Sequence, residues 1–384
     1  MHTIPYGRQH ITQSDIDAVI ATLQSDYLTQ GPAVDAFEQA FAQYIGCRYA
    51  VAVANGTAAL HLAALALGFA NGKRVITSPI TFSASANCVL YGGGQIAFAD
   101  IDRQTYLIDL NQVESLLKQG GYSGIIPVSF AGYPIHAQDL RYLSDRYGCA
   151  LLEDACHAPG AWFSDHAGTR QMSGNCAYTD AAIFSFHPVK HIACGEGGMI
   201  MTNREDIYQK LLLLRTHGIT KNPQLMQQPN EGGWYHEMQI LGFNYRMPDI
   251  LCALGTAQLQ RANENLLRRQ AIARRYYAEL SDTPLHLPAQ PPADQLHAYH
   301  LFIVETEQRK ALYDYLRQHQ IFAQVHYIPV HTMPYYQSLG FRRGQFPLAE
   351  DYYARCLSIP MYHSLSDDEQ SYVIDTLHRF FKPS

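Results

Sequence analysis

Ser185-Phe-His-Pro-Val-Lys190-His-Ile-Ala-Cys-Gly195-Glu-Gly-Gly198 places one lysine between two apolar runs, Ala181 to Phe186 and Met199-Ile-Met201. Both runs read as strands, and the glycines between them let backbone approach a ligand closely. An amine in that setting fits a Schiff-base lysine, whose pKa falls readily once it is desolvated. Read alone, the same residue is a solvated turn lysine, as most lysines are. Asp154, further up the chain, is what shifts the balance.

Outward from this stretch, strand-like and helix-like segments alternate. Tyr49 to Val53, Val75 to Thr77, Ile96 to Ala99, Ile125 to Ser129 and Cys149 to Glu153 read as strands. Thr57 to Leu67, Phe82 to Leu90, Leu110 to Lys118 and Leu140 to Tyr147 carry helical patterns between them. The alternation implies βαβ units and a largely parallel sheet covered by helices. Ahead of it lie helices Ser14 to Gln24 and Ala33 to Tyr44, the second opened by Gly31-Pro32 with proline in its first turn. After the lysine come a helix from Glu205 to Thr216, a polar loop from Asn222 to Gly233 and one long helical pattern from Asp249 to about Leu280. Pro284, Pro288, Pro291 and Pro292 break the chain before a smaller set. That set is strand His300 to Val304, helix Arg309 to His319, strand Phe322 to Val325 and helix Asp367 to Phe380. A large α/β domain over residues 1–255 and a smaller C-terminal α/β domain over 256–384 are expected, with the first residues free to join the smaller one.

The 384 residues are 47% hydrophobic and 16% charged, which suits a large buried core. A net charge of −6 without a basic cluster argues against nucleic acid or an anionic membrane as partner. Eight cysteines without a CxxC pair suit reduced thiols better than disulfides or a zinc knot. Met1 to Arg8 show no apolar signal core, and the longest apolar stretch, Ala58 to Ala70, holds His61 and Gly68 and is too short for a bilayer. A cytoplasmic protein is expected. No GxGxxG and no Walker lysine is present, so neither a dinucleotide nor an ATP loop is indicated.

Three further features carry chemistry. Asn55-Gly56-Thr57-Ala58 lies between a strand and a helix, where backbone N–H groups and a hydroxyl make an anion site, or simply a helix cap. Asp154 ends an apolar strand, where ligands of parallel sheets bind. A buried carboxylate there needs a positive partner, although capping of the turn at Pro159-Gly160 is the competing reading. With Ser185 and Lys190, these features supply what pyridoxal 5'-phosphate requires: donors for a phosphate, a carboxylate for a ring nitrogen and an amine for an aldehyde. Phe82 is a candidate to cover one ring face, or a core residue at a helix start. His187 and His191 hint at a metal pair, but Pro188 between them spoils helical spacing, and no metal is expected.

Taken in order, Asn-Gly-Thr-Ala-Ala59, Glu153-Asp-Ala-Cys-His157-Ala-Pro-Gly160, Ser185-Phe-His-Pro-Val-Lys190 and Gly195-Glu-Gly-Gly198 resemble the nucleotide-sugar aminotransferases of the DegT/DnrJ/EryC1/StrS family. The resemblance spans nearly the whole chain. It implies the type I fold of PLP-dependent aminotransferases, with Lys190 as the catalytic amine and Asp154 on the pyridine nitrogen. Gly56, Thr57, Ala58 and Ser185 are implied at the phosphate, Phe82 at the ring face and His157 at the ring oxygen. Asn244, in Gly242-Phe-Asn-Tyr-Arg246, is implied to reach the phosphate of a neighbouring subunit, which requires a homodimer. Dehydrating members of the family carry histidine in place of the lysine; Lys190 is present here, so transamination is implied.

Within the family, the Lys190 segment, Trp234-Tyr-His-Glu-Met-Gln239 and Leu241-Gly-Phe-Asn-Tyr-Arg246 look most like the members serving pseudaminic acid synthesis. That likeness implies amino transfer from L-glutamate to C4 of a UDP-4-keto-6-deoxy-N-acetylhexosamine. It also implies Tyr6, Leu28, Thr29, Gln30, Gly31, Tyr245, His326, Tyr327, Ile328 and Pro329 around the nucleotide sugar. Packing of Tyr6 and Tyr327 between domains is the competing reading. The alternatives are another keto nucleotide sugar, dTDP-linked or the D-gluco isomer, and a non-catalytic PLP-binding regulator.

Overall fold

The computed structural model describes residues 3–382; Met1 and His2 of the opening stretch lie outside them. Seven strands form the central sheet, in the order Tyr49–Val53, Gly198–Thr202, Ala181–Ser185, Ala150–Asp154, Tyr122–Ile126, Arg74–Thr77, Gln95–Phe98. Neighbours run parallel except at Gly198–Thr202, which is antiparallel to both strands beside it. The lysine stretch causes that reversal: it closes a turn between Ser185 and Gly198, which face each other across the pair. The central strands are buried on both faces, as their unbroken apolar runs require.

Helices cover the sheet on both sides. Gly56–Ala66 is buried almost all round, because helices Ala84–Tyr91 and Glu205–Arg215 pack over it. On the other face, Pro32–Ile45 presses Phe37 and Phe41 against Phe186 and Phe184, with ring centroids 5.0 Å apart in both pairs. This helix begins with Pro32 in its first turn, as expected, but its cap comes from far along the chain. Asp249 Oδ1 accepts the Gly31 amide at 2.8 Å and Oδ2 accepts the Ala33 amide at 2.9 Å.

A second core gathers Ile272, Tyr276, Phe302, Val304, Leu312 and Ile374. It is built on the antiparallel pair Phe302–Glu305 and Cys356–Ile359, under helices Ala262–Glu279, Arg309–Gln318 and Asp367–Phe381. Ile4 joins this core, since Ile4–Pro5 pairs with Ile321–Phe322. Cys356–Ile359 escapes the sequence reading because the helix Pro347–Arg355 runs straight into it without a turn signal. The strand expected over residues 322–325 shrinks to Ile321–Phe322, and Gln324 makes only an isolated bridge to Ser358.

The single long helix expected from Asp249 to Leu280 is corrected to two, Asp249–Leu259 and Ala262–Glu279. Arg261 leaves helical geometry, at φ −103° and ψ 5°, where its guanidinium turns to Asp15. Asp15 is fully buried, and a carboxylate out of water needs a cation more than the chain needs one further helical turn.

Replacing Asp249 by Ala strips both amide contacts from the start of Pro32–Ile45. Two hydrogen bonds to a buried carboxylate make this a loss of about 2–3 kcal/mol. Urea unfolding of the variant against the parent measures it, and an unchanged midpoint contradicts the assignment.

Candidate active site

Parallel strands end on one edge of the sheet, and that edge is where the site lies. Asp154 closes one strand, Ser185 closes its neighbour, and helix Gly56–Ala66 begins just beyond the end of Tyr49–Val53. Two glycines permit the convergence. A β-carbon on Gly198 would stand 2.5 Å from the Asn55 carbonyl oxygen, and one on Gly56 would stand 2.9 Å from the Ser185 β-carbon. Between these ends opens a cavity of about 430 Å³, with Tyr6, Thr57, Phe82, Asp154, Ser185 and Lys190 among its walls.

One corner is built for an anion. Asn55 Oδ1 takes the Ala58 amide at 2.8 Å, so Ala58 serves the helix cap and does not face the cavity. Among the described residues nothing takes the amides of Gly56 and Thr57. With the Thr57 and Ser185 hydroxyls beside them, they point the positive end of a helix into the cavity. The anion reading and the capping reading of this turn therefore both hold, each for different amides.

The opposite wall carries the carboxylate and the amine. Asp154 is 5% exposed and receives the Ser85 hydroxyl at 2.6 Å and the Cys156 amide at 3.2 Å. Lys190 faces the cavity, and among the described residues its amine has no hydrogen-bond or ion-pair partner. Desolvation by the surrounding walls lowers its pKa, against the opposing pull of Cys156 and Asp154. A lysine whose proton is loosened in this way is half prepared to act as a nucleophile or a base.

His157 faces the cavity in one defined tautomer. The Ala131 amide donates to its Nδ1 at 3.2 Å, so the proton sits on Nε2, which points to the Tyr327 hydroxyl at 3.3 Å. Burial first, and nearby Lys190 second, hold its pKa well below the usual value, so the ring is neutral. His326 is pushed down to about 3 by the same two causes and packs against Tyr6, with ring centroids 4.9 Å apart. Phe82 is 60% exposed at the cavity mouth, which removes the reading of it as a core residue.

The cavity thus unites Gly56, Thr57, Phe82, Asp154, His157, Ser185 and Lys190 with Tyr6, His326 and Tyr327. Other residues expected at the site lie elsewhere. Gln30 and Gly31 line a separate cavity of about 580 Å³ with Arg215 and Arg246. Leu28 is exposed, and Asn244, also exposed, bridges to Thr216 beside that second cavity. Thr29 lies in the same exposed loop as Leu28. Tyr245 stacks on Phe243 and meets His61 through its hydroxyl at 3.3 Å. Ile328 is exposed and Pro329 buried, and neither is among the cavity walls. His187 lines the cavity, whereas His191 is buried and meets the Ala298 carbonyl through Nε2 at 3.0 Å. Thr81, Ser85 and Cys156 were not singled out by the sequence reading. Thr81 and Ser85 follow the end of the parallel strand Arg74–Thr77, but nothing nearby in sequence marks their carboxylate partner.

The donor set matches a phosphorylated pyridine aldehyde: an anion corner cradled at Gly56, a strand-end carboxylate, a neutral N–H donor on His157 and an amine without a partner. A volume of about 430 Å³ is in the range of small-molecule sites. Among the described residues, no helix is long and apolar enough to cross a membrane.

The model of the DegT/DnrJ/EryC1/StrS aminotransferase family matches residues 9–378. The chain is 36% identical to the spore coat polysaccharide biosynthesis protein SpsC of Bacillus subtilis, covering 99% of this chain and 98% of that one. It is 34% identical to the UDP-4-amino-4,6-dideoxy-N-acetyl-beta-L-altrosamine transaminase of Campylobacter jejuni, covering 97% and 96%. Among solved structures it superposes on Helicobacter pylori PseC, an aminotransferase involved in the biosynthesis of pseudoaminic acid. That match has a TM-score of 0.89, 28% identity and 99% of both chains covered.

Beside Asp154, Glu153 is 3% exposed, accepting the Ser129 hydroxyl at 2.7 Å and the Gly174 amide at 3.0 Å. Burial pushes its pKa up from 4.5 to about 7 despite those two donors. Below about pH 4.5 the group is protonated in both folded and unfolded chains. As pH rises toward about 7 only the unfolded chain releases the proton, so stability falls across that window, by about 3 kcal/mol in all. Denaturant unfolding at about pH 5 and about pH 8 checks this against Glu153→Gln, which lacks the titration. Parallel pH profiles for parent and variant contradict it.

Proposed function

The chain belongs to the DegT/DnrJ/EryC1/StrS aminotransferase family, and from that premise we propose that it moves the amino group of L-glutamate to C4 of a UDP-4-keto-6-deoxy-N-acetylhexosamine. The product is UDP-4-amino-4,6-dideoxy-N-acetyl-beta-L-altrosamine, on the route to pseudaminic acid. The chain is a PLP-dependent sugar aminotransferase of the α/β fold seen in its relatives. One observation carries the site assignment: a desolvated, unpartnered Lys190 amine shares a cavity with the strand-end Asp154 and the open start of helix Gly56–Ala66.

Pyridoxal 5'-phosphate, when bound, supplies the electron sink that lets a proton leave the carbon bearing the transferred amine. This chain does the rest. The Gly56 and Thr57 amides and the Thr57 and Ser185 hydroxyls would hold the phosphate. Asp154 would set its carboxylate against the ring nitrogen, and His157 would serve the ring oxygen in place of the Tyr327 hydroxyl. Phe82 would cover one face of the ring at the cavity mouth. Lys190 Nζ would take the proton from the glutamate Cα as general base and, in the second half-reaction, deliver one to C4 of the sugar as general acid. Glutamate and the keto sugar use the cavity in turn, and Tyr6, His326 and Tyr327 offer flat faces and polar tips to the sugar nucleotide. Under this reading residues 1–255 hold the cofactor and residues 256–384 form the smaller domain.

The residues that lie away from Lys190 point to a homodimer. Leu28, Thr29, Gln30, Gly31, Asn244 and Tyr245 would act on the site of a second copy, with Ile328 and Pro329 at its rim. The exposed apolar side chains Ile16, Ile20, Leu23, Tyr27, Trp234 and Leu241 support such a contact. A different keto nucleotide sugar is the second reading of the acceptor. It is supported by the likeness to SpsC, named for spore coat polysaccharide biosynthesis.

Two experiments test the proposal. Purified protein with pyridoxal phosphate should show a visible absorbance band that fades with glutamate and returns with the UDP-4-keto sugar; Lys190→Ala should lose the band and turnover. A band restored only by a dTDP-linked or D-gluco sugar selects the second reading, and normal turnover by Lys190→Ala ends both. Lys190→Ala and Asn244→Ala, each inactive alone, should regain about a quarter of parental activity when their subunits are mixed. Half the dimers are then hybrids with one intact site of two. No recovery contradicts the shared site.

A further inference from the structure

At the cavity wall the Ser85 hydroxyl holds Asp154, and the hydroxyl of Thr81, itself a lining residue, holds Ser85. Ser85 Oγ lies 2.6 Å from Asp154 Oδ2, and Thr81 Oγ1 lies 2.7 Å from Ser85 Oγ. Ser85 is 0% and Thr81 1% exposed, so both hydroxyls are buried. The direction of the protons follows from counting them. A carboxylate has none to give, so Ser85 donates its single proton to Asp154. The Thr81–Ser85 contact therefore uses the proton of Thr81. The other acceptor near Ser85, the Phe82 carbonyl, is 3.4 Å away and poorly matched to that proton. Thr81 Oγ1–H, Ser85 Oγ–H and Asp154 Oδ2 thus form one directed chain in which each bond polarises the next. Its placement comes from the fold: Thr81 and Ser85 lie four residues apart where the chain leaves the Arg74–Thr77 strand and enters helix Ala84–Tyr91.

We propose that Thr81 and Ser85 are positioning residues that fix the rotamer and the open face of Asp154 toward a protonated ring nitrogen, Thr81 acting only through Ser85. The inference rests on the cofactor reading given above.

A double-mutant cycle tests it. Thr81→Val, Ser85→Ala, the double variant and Thr81→Ser are titrated with pyridoxal phosphate. The pH midpoint of the visible band is followed in each, and the melting temperature of the cofactor-free protein is recorded. Ser85→Ala should weaken cofactor binding about tenfold and move the midpoint, and Thr81→Val should do the same about threefold. In the Ser85→Ala background, Thr81→Val should add nothing, and Thr81→Ser should match the parent throughout. Independent, multiplying effects overturn the relay. So does a midpoint that stays fixed while only melting falls, which is the mark of lost packing. If Ser85→Ala fails to fold, the Thr81→Val and Thr81→Ser pair decides alone by the same midpoint. A parent protein that gives no visible band with pyridoxal phosphate overturns the premise with the proposal, and the parental spectrum separates that failure from a failed relay.

Discussion

No side chain fits at residue 198, because a β-carbon there would lie 2.5 Å from the carbonyl oxygen of Asn55. That steric limit governs how the site is assembled. Gly198 begins the one antiparallel strand of the sheet, and its bare backbone lets the start of helix Gly56–Ala66 settle beside it. The same closeness brings the Gly56 and Thr57 amides up to Ser185 and fixes the ends of the turn that carries Lys190. The anion corner is therefore built from main chain, and the carboxylate and the amine stand on segments whose ends the main chain fixes. Little conformational entropy of that corner remains to be lost when an anion enters.

Much of this was legible in the sequence, for reasons that differ by residue. The parallel strands announced themselves by short Val- and Ile-rich runs with helical intervals, and strand ends then fixed where Asp154 and Ser185 had to be. Lys190 stood out because two apolar runs and a glycine cluster bracketed it. Ser85 and Thr81 did not stand out, since a hydroxyl in a Thr-Phe-Ser-Ala-Ser run reads as a cap until its distant carboxylate partner is seen. The break at Arg261 was illegible for the same reason: its cause, Asp15, is remote in sequence. Helical periodicity reports what a segment prefers locally and says nothing of a buried charge that claims one of its side chains.

Four buried imidazoles surround Lys190. His157, His191, His300 and His326 all have pKa values depressed chiefly by burial, and the His157 and His300 rings lie 4.2 Å apart. Arg269, fully buried, spends itself on the carbonyls of Tyr299, His300 and Met361 at 2.9, 3.4 and 3.0 Å. Burial lowers its pKa to about 9. Neutral imidazoles give directed hydrogen bonds without adding a field that would hold or expel the proton of a nearby amine. Asp154 is the buried carboxylate of the cavity wall, while Glu196, the other lining carboxylate, is exposed.

The cap on helix Pro32–Ile45 is supplied from 216 and 218 residues downstream. While the chain is being synthesised, the first turn of that helix, and the loop of residues 28–31 ahead of it, have no Asp249 to dock on. At about 5–20 residues per second, this interval lasts on the order of 10–40 s. Throughout it the apolar face of Phe37 and Phe41 is available to whatever else is near. The first turn of that helix is therefore completed only once Asp249 has been made, late in synthesis.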